Sequence, residues 1–422
     1  MSTFLNRIRQ GLIDMCYIWS KEIRQTVSDE GVLIFFVLVP LLYPLLYSWC
    51  YTNEVVREVP VAVVDMSHSS DSREFLRRLD ATPDVQVKYY CNSLPEAKRL
   101  IAFQQARGII YFPSDYSTLI NRGEQARVGV YCDMSLMLSF KAIYQSAQTI
   151  ALDMSRNIQL SATPNFTQRD EELTAEPLVV HDVQIFNATG GYGNALLPGV
   201  LMLILQQTLL LGIGLSAGTA RETNRYRDLV PVSKHYHGIF RVVLGKSMAY
   251  FMIFCVMGAY LTMVVPRLFG FTQMAHFFDL IALLFPYILA CIFFGMALSC
   301  MVRYRENVIL LVVFTSVPLL FLTGISWPQS NIPGFWQGFS WIFPSTFGVR
   351  GFLRLNSMGA LLSDIREEYT ILWIQTLVYF FLTCIVYRFQ IKAAQAHAVA
   401  HLGHMKALAR KARKIKKTES HF

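Results

Sequence analysis

Charge is scarce in this sequence: Asp, Glu, Lys and Arg together make up 16% of its 422 residues. A water-soluble globular chain carries about 25%, so much of this one faces something other than water. Cysteine is sparse too, 8 in all with several in apolar runs, which excludes a disulfide scaffold. Disorder needs low hydrophobicity and high charge. It is excluded for the bulk of the chain, since 53% of the residues are hydrophobic and the mean hydropathy is +0.36. A phosphate-binding loop is also missing. Gly245-Lys246-Ser247 offers the end of one, but the Gly required five positions earlier is Phe240, and an apolar helix follows. The chain is therefore not expected to hydrolyse ATP itself, and no bound cofactor is expected. Nothing clusters like a metal site or a catalytic triad, and His68 and His181 stand alone. No cleavable signal peptide is read, because the first apolar run starts late, is long and lacks a small-residue cleavage site.

What is present is a set of six apolar runs, each near the 20 or so residues that cross a bilayer. They are Val32 to Tyr51, then about Ala195 to Ala217, Phe240 to Val265, Leu280 to Val302, Val308 to Trp327 and Tyr369 to Tyr387. Lys and Arg collect on alternate connections. Arg7, Arg9, Lys21 and Arg24 precede the first run, and Arg221, Arg225, Arg227, Lys234 and Arg241 join the second to the third. Arg303 and Arg305 lie between the fourth and fifth, and a basic tail follows the sixth. By the positive-inside rule this face is cytoplasmic, with both termini inside. The stretch Phe4 to Val27 is amphipathic, with Phe4, Ile8, Leu12, Met15, Ile18 and Trp19 at helical spacing. It is expected either to lie in the interface as a collar helix or to form a simple cytoplasmic extension.

Residues 52–194 are of ordinary water-soluble character. PVAVVD, VQVKYY, GIIYFP and VGVYCD read as strands, alternating with helices over Ser70 to Leu79 and from Ser93 to about Gln105. Ser93 and Glu96 have the spacing of a capping box. A long helix is expected from about Leu136 to Leu160, and LVVHDVQIF as a last strand. The fold class is thus an α-helical polytopic membrane protein of six transmembrane helices, with an α/β extracytoplasmic domain inserted between helices one and two. A Cys91–Cys132 disulfide would be permitted there, with two unpaired core thiols the preferred reading.

The domain boundaries expected are an amphipathic helix over 1–31, the first span over 32–51, the inserted domain over 52–194, five spans over 195–388 and a basic cytoplasmic tail over 389–422. Within the spans, Gln206, Gln207 and Thr208 form the main polar cluster, either joining helices or lining a pathway. Lys246 is near a cytoplasmic end and is assigned no role. The loop 218–240 has the shape of a docking element: a charged helix end, a Pro turn, then re-entry into the membrane. Arg221, Glu222, Arg225, Arg227 and Asp228 are expected to project from it, with a break at Pro231. The segment 328–350 carries Pro328, Pro333, Pro344 and the nearby Trp327, Trp336 and Trp341, and reads as short re-entrant or interfacial helices.

In four features this chain resembles the permease subunit of type-2 ABC transporters, in the drug-efflux-like branch with a large exterior domain. They are the six-span layout with a collar helix, and the opening Val61-Ala62-Val63-Val64-Asp65 of the exterior domain. The third is Phe186-Asn187 with Pro198-Gly199 leading into span two. The last is Ala220-Arg221-Glu222, Pro231-Val232-Ser233 and Gly245-Lys246, followed by Gly324-Ile325-Ser326-Trp327-Pro328 and Phe343-Pro344-Ser345-Thr346. It departs where the family has a Gly-Thr-Leu-Glu-like helix and this chain has ETNRYRDLV, where Ala188 replaces a common Pro, and in its tail.

The resemblance implies an exporter permease of a bacterial inner membrane. An ABC ATP-binding subunit holding ATP and magnesium would dock through Arg221, Glu222, Arg225, Asp228 and Pro231. A second permease copy or a paralogue would complete the dimer, with a periplasmic adaptor as a further partner, and the cargo would be small or amphipathic. Trp327, Pro328, Phe343 and Pro344 would form the exterior re-entrant segment. The alternative is a membrane-anchored sensor using the exterior domain, which six spans without a cytoplasmic output domain disfavour. The tail, Lys406 to Lys417, is expected to meet the anionic inner leaflet of the lipid bilayer. Nucleic acid is not expected as a partner, since no aromatics interleave the charge.

Overall fold

A computed structural model describes residues 2–52, 54–162, 167, 185–187, 190–224, 228–231, 233–236, 238–302 and 304–419. The chain divides into two compact units, Met1–Thr52 with Phe186–Phe422, and Asn53–Ile185.

The first unit is helical. Helix α1 (Ser2–Ser28) leads into α2 (Glu30–Cys50), and the bundle continues through α7 (Tyr192–Thr223), α8 (Ile239–Leu268), α9 (Phe277–Ser299) and α10 (Arg305–Leu322). The short α11 (Gly334–Ser340) and α12 (Pro344–Met358) follow, and α13 (Arg366–Glu419) closes the chain. Among the described residues six helices, α2, α7, α8, α9, α10 and the Arg366–His401 part of α13, are long and apolar enough to cross a membrane. This matches the six runs read from hydropathy. The fifth stops earlier than expected, at Leu322, because Thr323 and the left-handed Gly324 turn the chain there.

Two helices contain a π-helical turn, at Ile34–Leu38 and Tyr260–Val264, and each sits just before a proline, Pro40 and Pro266. A proline ring clashes with the carbonyl four residues back and donates no N–H; widening the preceding turn relieves both faults.

Helix α7 is the centre of the bundle. Of its most apolar stretch 89% is buried, against 22% for α10. Glycine makes this possible: a Cβ on Gly212 would lie 1.9 Å from the Phe36 ring of α2. Gly348 likewise admits Tyr287 of α9, its added Cβ meeting that ring at 2.3 Å. The outer face of α10, with Val313, Phe314, Val317 and Phe321, is exposed and apolar, as a lipid-facing surface requires.

The second unit contains a four-stranded sheet in the order β2-β1-β3-β4, with β1 (Val59–Asp65) parallel to β2 (Val85–Tyr90) and to β3 (Gly108–Phe112). Strand β4 (Gly129–Cys132) is antiparallel to β3. Helices α3 (Ser70–Asp80), α4 (Leu94–Ala102), α5 (Tyr116–Asn121) and α6 (Met137–Ala162) complete the described part. Alternate residues of β1 serve two clusters, Val59, Val61 and Val63 on one face and Ala62 and Val64 on the other. The expected strand LVVHDVQIF and His181 lie almost wholly outside the described residues.

The expected capping box at Ser93 is absent. The Ser93 side chain makes no cap bond, and Glu96 instead accepts the Asn92 N–H at 3.0 Å, one residue upstream. A reciprocal box occurs at Ser69 and Ser72, where the second member is a serine that the Ser/Thr-x-x-Glu pattern does not find. Cys91 and Cys132 are both free thiols. Cys91 packs in the Ala62–Val64 cluster and Cys132 against the opposite one. They belong to the two edges of the sheet, separated by three strand spacings of about 4.8 Å, beyond the roughly 7 Å limit for bridged Cα atoms. Burial raises both thiols, Cys132 to about 11.

Candidate coupling site

Three carboxylates at and just beyond α1 face the bundle: Asp14, Glu22 and Asp29. Spacings of eight and seven residues keep them near one side of a helix. Asp14 and Glu22 each take a cation from α8, and Asp29 takes one from α10. Asp14 accepts from Arg241 Nη1 at 2.6 Å and from Gln10 Nε2 at 3.1 Å, with His235 Nδ1 at 2.7 Å. Burial raises the Asp14 carboxyl, but the bonds from His235, Arg241 and Gln10 outweigh it and hold its pKa below the usual carboxylate value.

Glu22 sits deepest. Lys246 Nζ lies 3.0 Å from one of its oxygens and 3.1 Å from the other. The Tyr250 hydroxyl donates to the same carboxylate, and Ser216 Oγ donates at 3.3 Å. One side chain of α1 thereby holds α7 and α8 together. Asp29 caps α2 through the Gly31 and Val32 N–H groups and takes Arg305 Nη2 at 2.8 Å and the Thr219 hydroxyl. Burial again raises this carboxyl, and the Thr219, Arg305 and Val32 bonds bring it below the ordinary value.

The loop between α7 and α8 is anchored at both ends. Arg221 is buried at the end of α7, donating from Nη2 to the Cys300 carbonyl at 2.8 Å and from Nη1 to the Val302 carbonyl. Those carbonyls follow the last turn of α9, where no further helical N–H is available. Asp228 is buried, with His397 Nδ1 of α13 at 3.2 Å. The expectation that Arg221 and Asp228 project outward is therefore corrected, because backbone carbonyls and a histidine of the bundle take them inward. Glu222 is exposed at the helix end. Pro231 is half-buried and lines a cavity of about 240 Å³ with Lys21, Gln25, Thr223, Asn224 and Tyr236. Arg225 and Arg227 lie outside the described residues.

Of the polar cluster in α7, Gln206 joins helices. Its Oε1 accepts the Ser345 N–H at 2.7 Å and its Nε2 donates to Ser345 Oγ at 3.1 Å, capping the start of α12. Thr208 turns back to the Ile204 carbonyl at 2.8 Å. Gln207 is buried, and neither of its amide atoms has a hydrogen-bond partner among the described residues. In the Pro- and Trp-rich segment before α12, Trp327 and Pro328 are exposed. Phe343 packs edge-to-face on Phe294 and Phe339, and Pro344 is buried at the first turn of α12. From α13, Gln375 Nε2 donates to the Trp341 carbonyl at 2.7 Å and the Tyr379 hydroxyl to that of Ile342.

Sequence reasoning missed Asp14, Glu22 and Asp29 and left Lys246 idle. The available signal was acids recurring near one face of an otherwise basic helix, with a Lys and a Tyr four apart inside an apolar run.

Six apolar helices, one of them a buried central axis, with most of the bundle's charge pairs gathered at one end, define a multi-pass membrane protein. The chain belongs to the ABC-2 transporter family: the family model described as "ABC-2 family transporter protein" matches residues 31–385. No curated protein matches it. It is thus the membrane component, a permease, of an ABC transporter, and membership implies an ATP-binding-cassette partner. Asp14, Glu22 and Asp29 precede the matched region.

Proposed function

We propose that this chain is the permease of an ATP-driven exporter in a bacterial inner membrane, with both termini cytoplasmic and residues 52–194 outside. An ATPase subunit carrying ATP and magnesium docks on the loop 218–240, with Glu222 as an exposed contact. A second copy or a paralogue completes the translocating dimer, and small or amphipathic compounds leave outward, with a periplasmic adaptor as a further partner.

The observation that carries this reading is the anchoring of the loop. Through Arg221, Asp228, His235 and Arg241 it is tied to the α9–α10 connection, to α13 and to α1. A partner that displaces the loop therefore displaces several spans together rather than bending a free strand. The Glu22–Lys246 pair extends the same body into α7 and α8.

Affinity purification from the native membrane, with and without Glu222→Arg, tests it. Co-purification of an ATP-binding-cassette subunit, abolished by the substitution, is expected. A chain that purifies alone in mild detergent defeats the reading.

A further inference from the structure

We propose that the second unit binds an organic anion with an apolar body, in a cleft at the carboxyl ends of β1 and β2. Adjacent parallel strands offer a crevice at that end where the chain leaves one for a helix on one face and the other for a helix on the opposite face, as α3 and α4 do here. Here β1 ends at Asp65 and β2 at Tyr90, and α3 runs alongside. The cleft between them has a volume of about 580 Å³, within the range of small-molecule sites.

Asp65 and Asp80 keep their charge in the lining, so what a ligand can bond to is decided by which groups are already engaged. Asp65 is not available to a ligand: one oxygen accepts the Ser67 and His68 N–H groups at 3.0 Å each, and the other takes Ser72 Oγ at 2.7 Å. These bonds hold the turn in which His68 adopts a left-handed φ of 48°. Asp80 accepts the Val87 N–H at 2.8 Å. The cations are freer. Arg73 donates from Nε to the Ser69 carbonyl at 3.0 Å and has no carboxylate partner among the described residues. Arg77 shares Glu74, at 2.7 Å, with Arg78. The two arginines stand one turn apart on α3 and line the cleft with Asn92, a fork suited to a carboxylate, sulfonate or phosphate.

The remaining walls are apolar. Val63 and Leu76 form a floor that is 1% and 5% exposed, and Tyr90, 72% exposed, stands at the rim as an aromatic face. A bare inorganic anion leaves that floor uncovered; an aromatic or aliphatic body fills it.

The test uses the full chain in lipid nanodiscs, titrated with anilinonaphthalene sulfonate against protein-free nanodiscs. Saturable fluorescence is expected, with the half-saturating concentration raised by about tenfold or more in Arg73→Ala/Arg77→Ala, since bonds to charged groups contribute on that order. The control Arg122→Ala/Arg127→Ala removes the same charge from exposed positions outside the cleft and should leave binding unchanged. Equal binding by wild type and the Arg73/Arg77 variant overturns the proposal. So does displacement of the dye by inorganic phosphate as readily as by naphthoate, which would mark a site for the bare charge.

Discussion

Glu22 of α1 and Lys246 of α8 face each other at 3.0 Å with their side chains 1% and 6% exposed. No other ion pair among the described residues is as deeply buried on both sides. Removing one partner of such a pair leaves a charge in a low-dielectric interior, at a cost on the order of 3–5 kcal/mol, whereas replacing both with apolar groups is often neutral. Lys246→Met is therefore expected to lower the unfolding temperature of the detergent-purified protein sharply, and Glu22→Leu/Lys246→Met to recover most of the loss. A double variant as unstable as the two single losses added together would show that the pair is not coupled.

Asp14 gives the molecule an acid-sensitive joint. Its pKa is held below the ordinary aspartate value of 3.8 in the folded state, so folding is stabilised while the carboxylate is charged in both states. That contribution is fully present above the unfolded pKa and fades as pH falls through the folded one. The stability difference between wild type and Asp14→Asn should be constant at neutral pH and shrink below pH 3.8. A difference that grew on acidification would contradict the assignment.

Arg221 joins two spans through backbone carbonyls rather than through a charge partner. Arg221→Ala should destabilise by about 1.5–3 kcal/mol, the range for hydrogen bonds to a charged group, and Arg221→Lys should restore only part, since an ammonium lacks the fork that reaches both Cys300 and Val302. Thermal unfolding of the three proteins measures it. Full rescue by Lys would show that charge alone matters at this position.

Gln206 and Gln207 are neighbours with opposite expectations. Gln206→Leu strands the Ser345 N–H at the start of α12 and should cost about 1–3 kcal/mol. Gln207→Leu removes a buried amide that has no partner among the described residues, and should be neutral or stabilising. If both changes proved equally damaging, Gln207 would have a partner outside the single chain.

Much of this was legible in the sequence, for a physical reason. A membrane span is a local sum of about 20 side-chain transfer energies, so six could be counted from composition. Strand β1 was legible to within a residue, read as Pro60 to Asp65 against Val59–Asp65, because a short apolar run is local as well. The capping box was misplaced because Ser72, unlike Glu96, does not announce itself as the second half of the motif.

Arg221 and Asp228 show where local reading ends. Their charge placed them in a docking loop, and nothing nearby in the chain reveals that Cys300, Val302 and His397 turn them inward. Lys246 looked like a snorkelling residue because its partner is 224 positions away.

By itself, then, the sequence determined that this chain has six runs long and apolar enough to cross a membrane and carries the marks of the ABC-2 family, since hydropathy and short motifs are properties of contiguous residues. Only the tertiary structure decided that α7 is the buried axis and that α1 is an ionic clamp. A buried charge is set by which distant group comes to neutralise it, and that pairing exists only once the helices have packed.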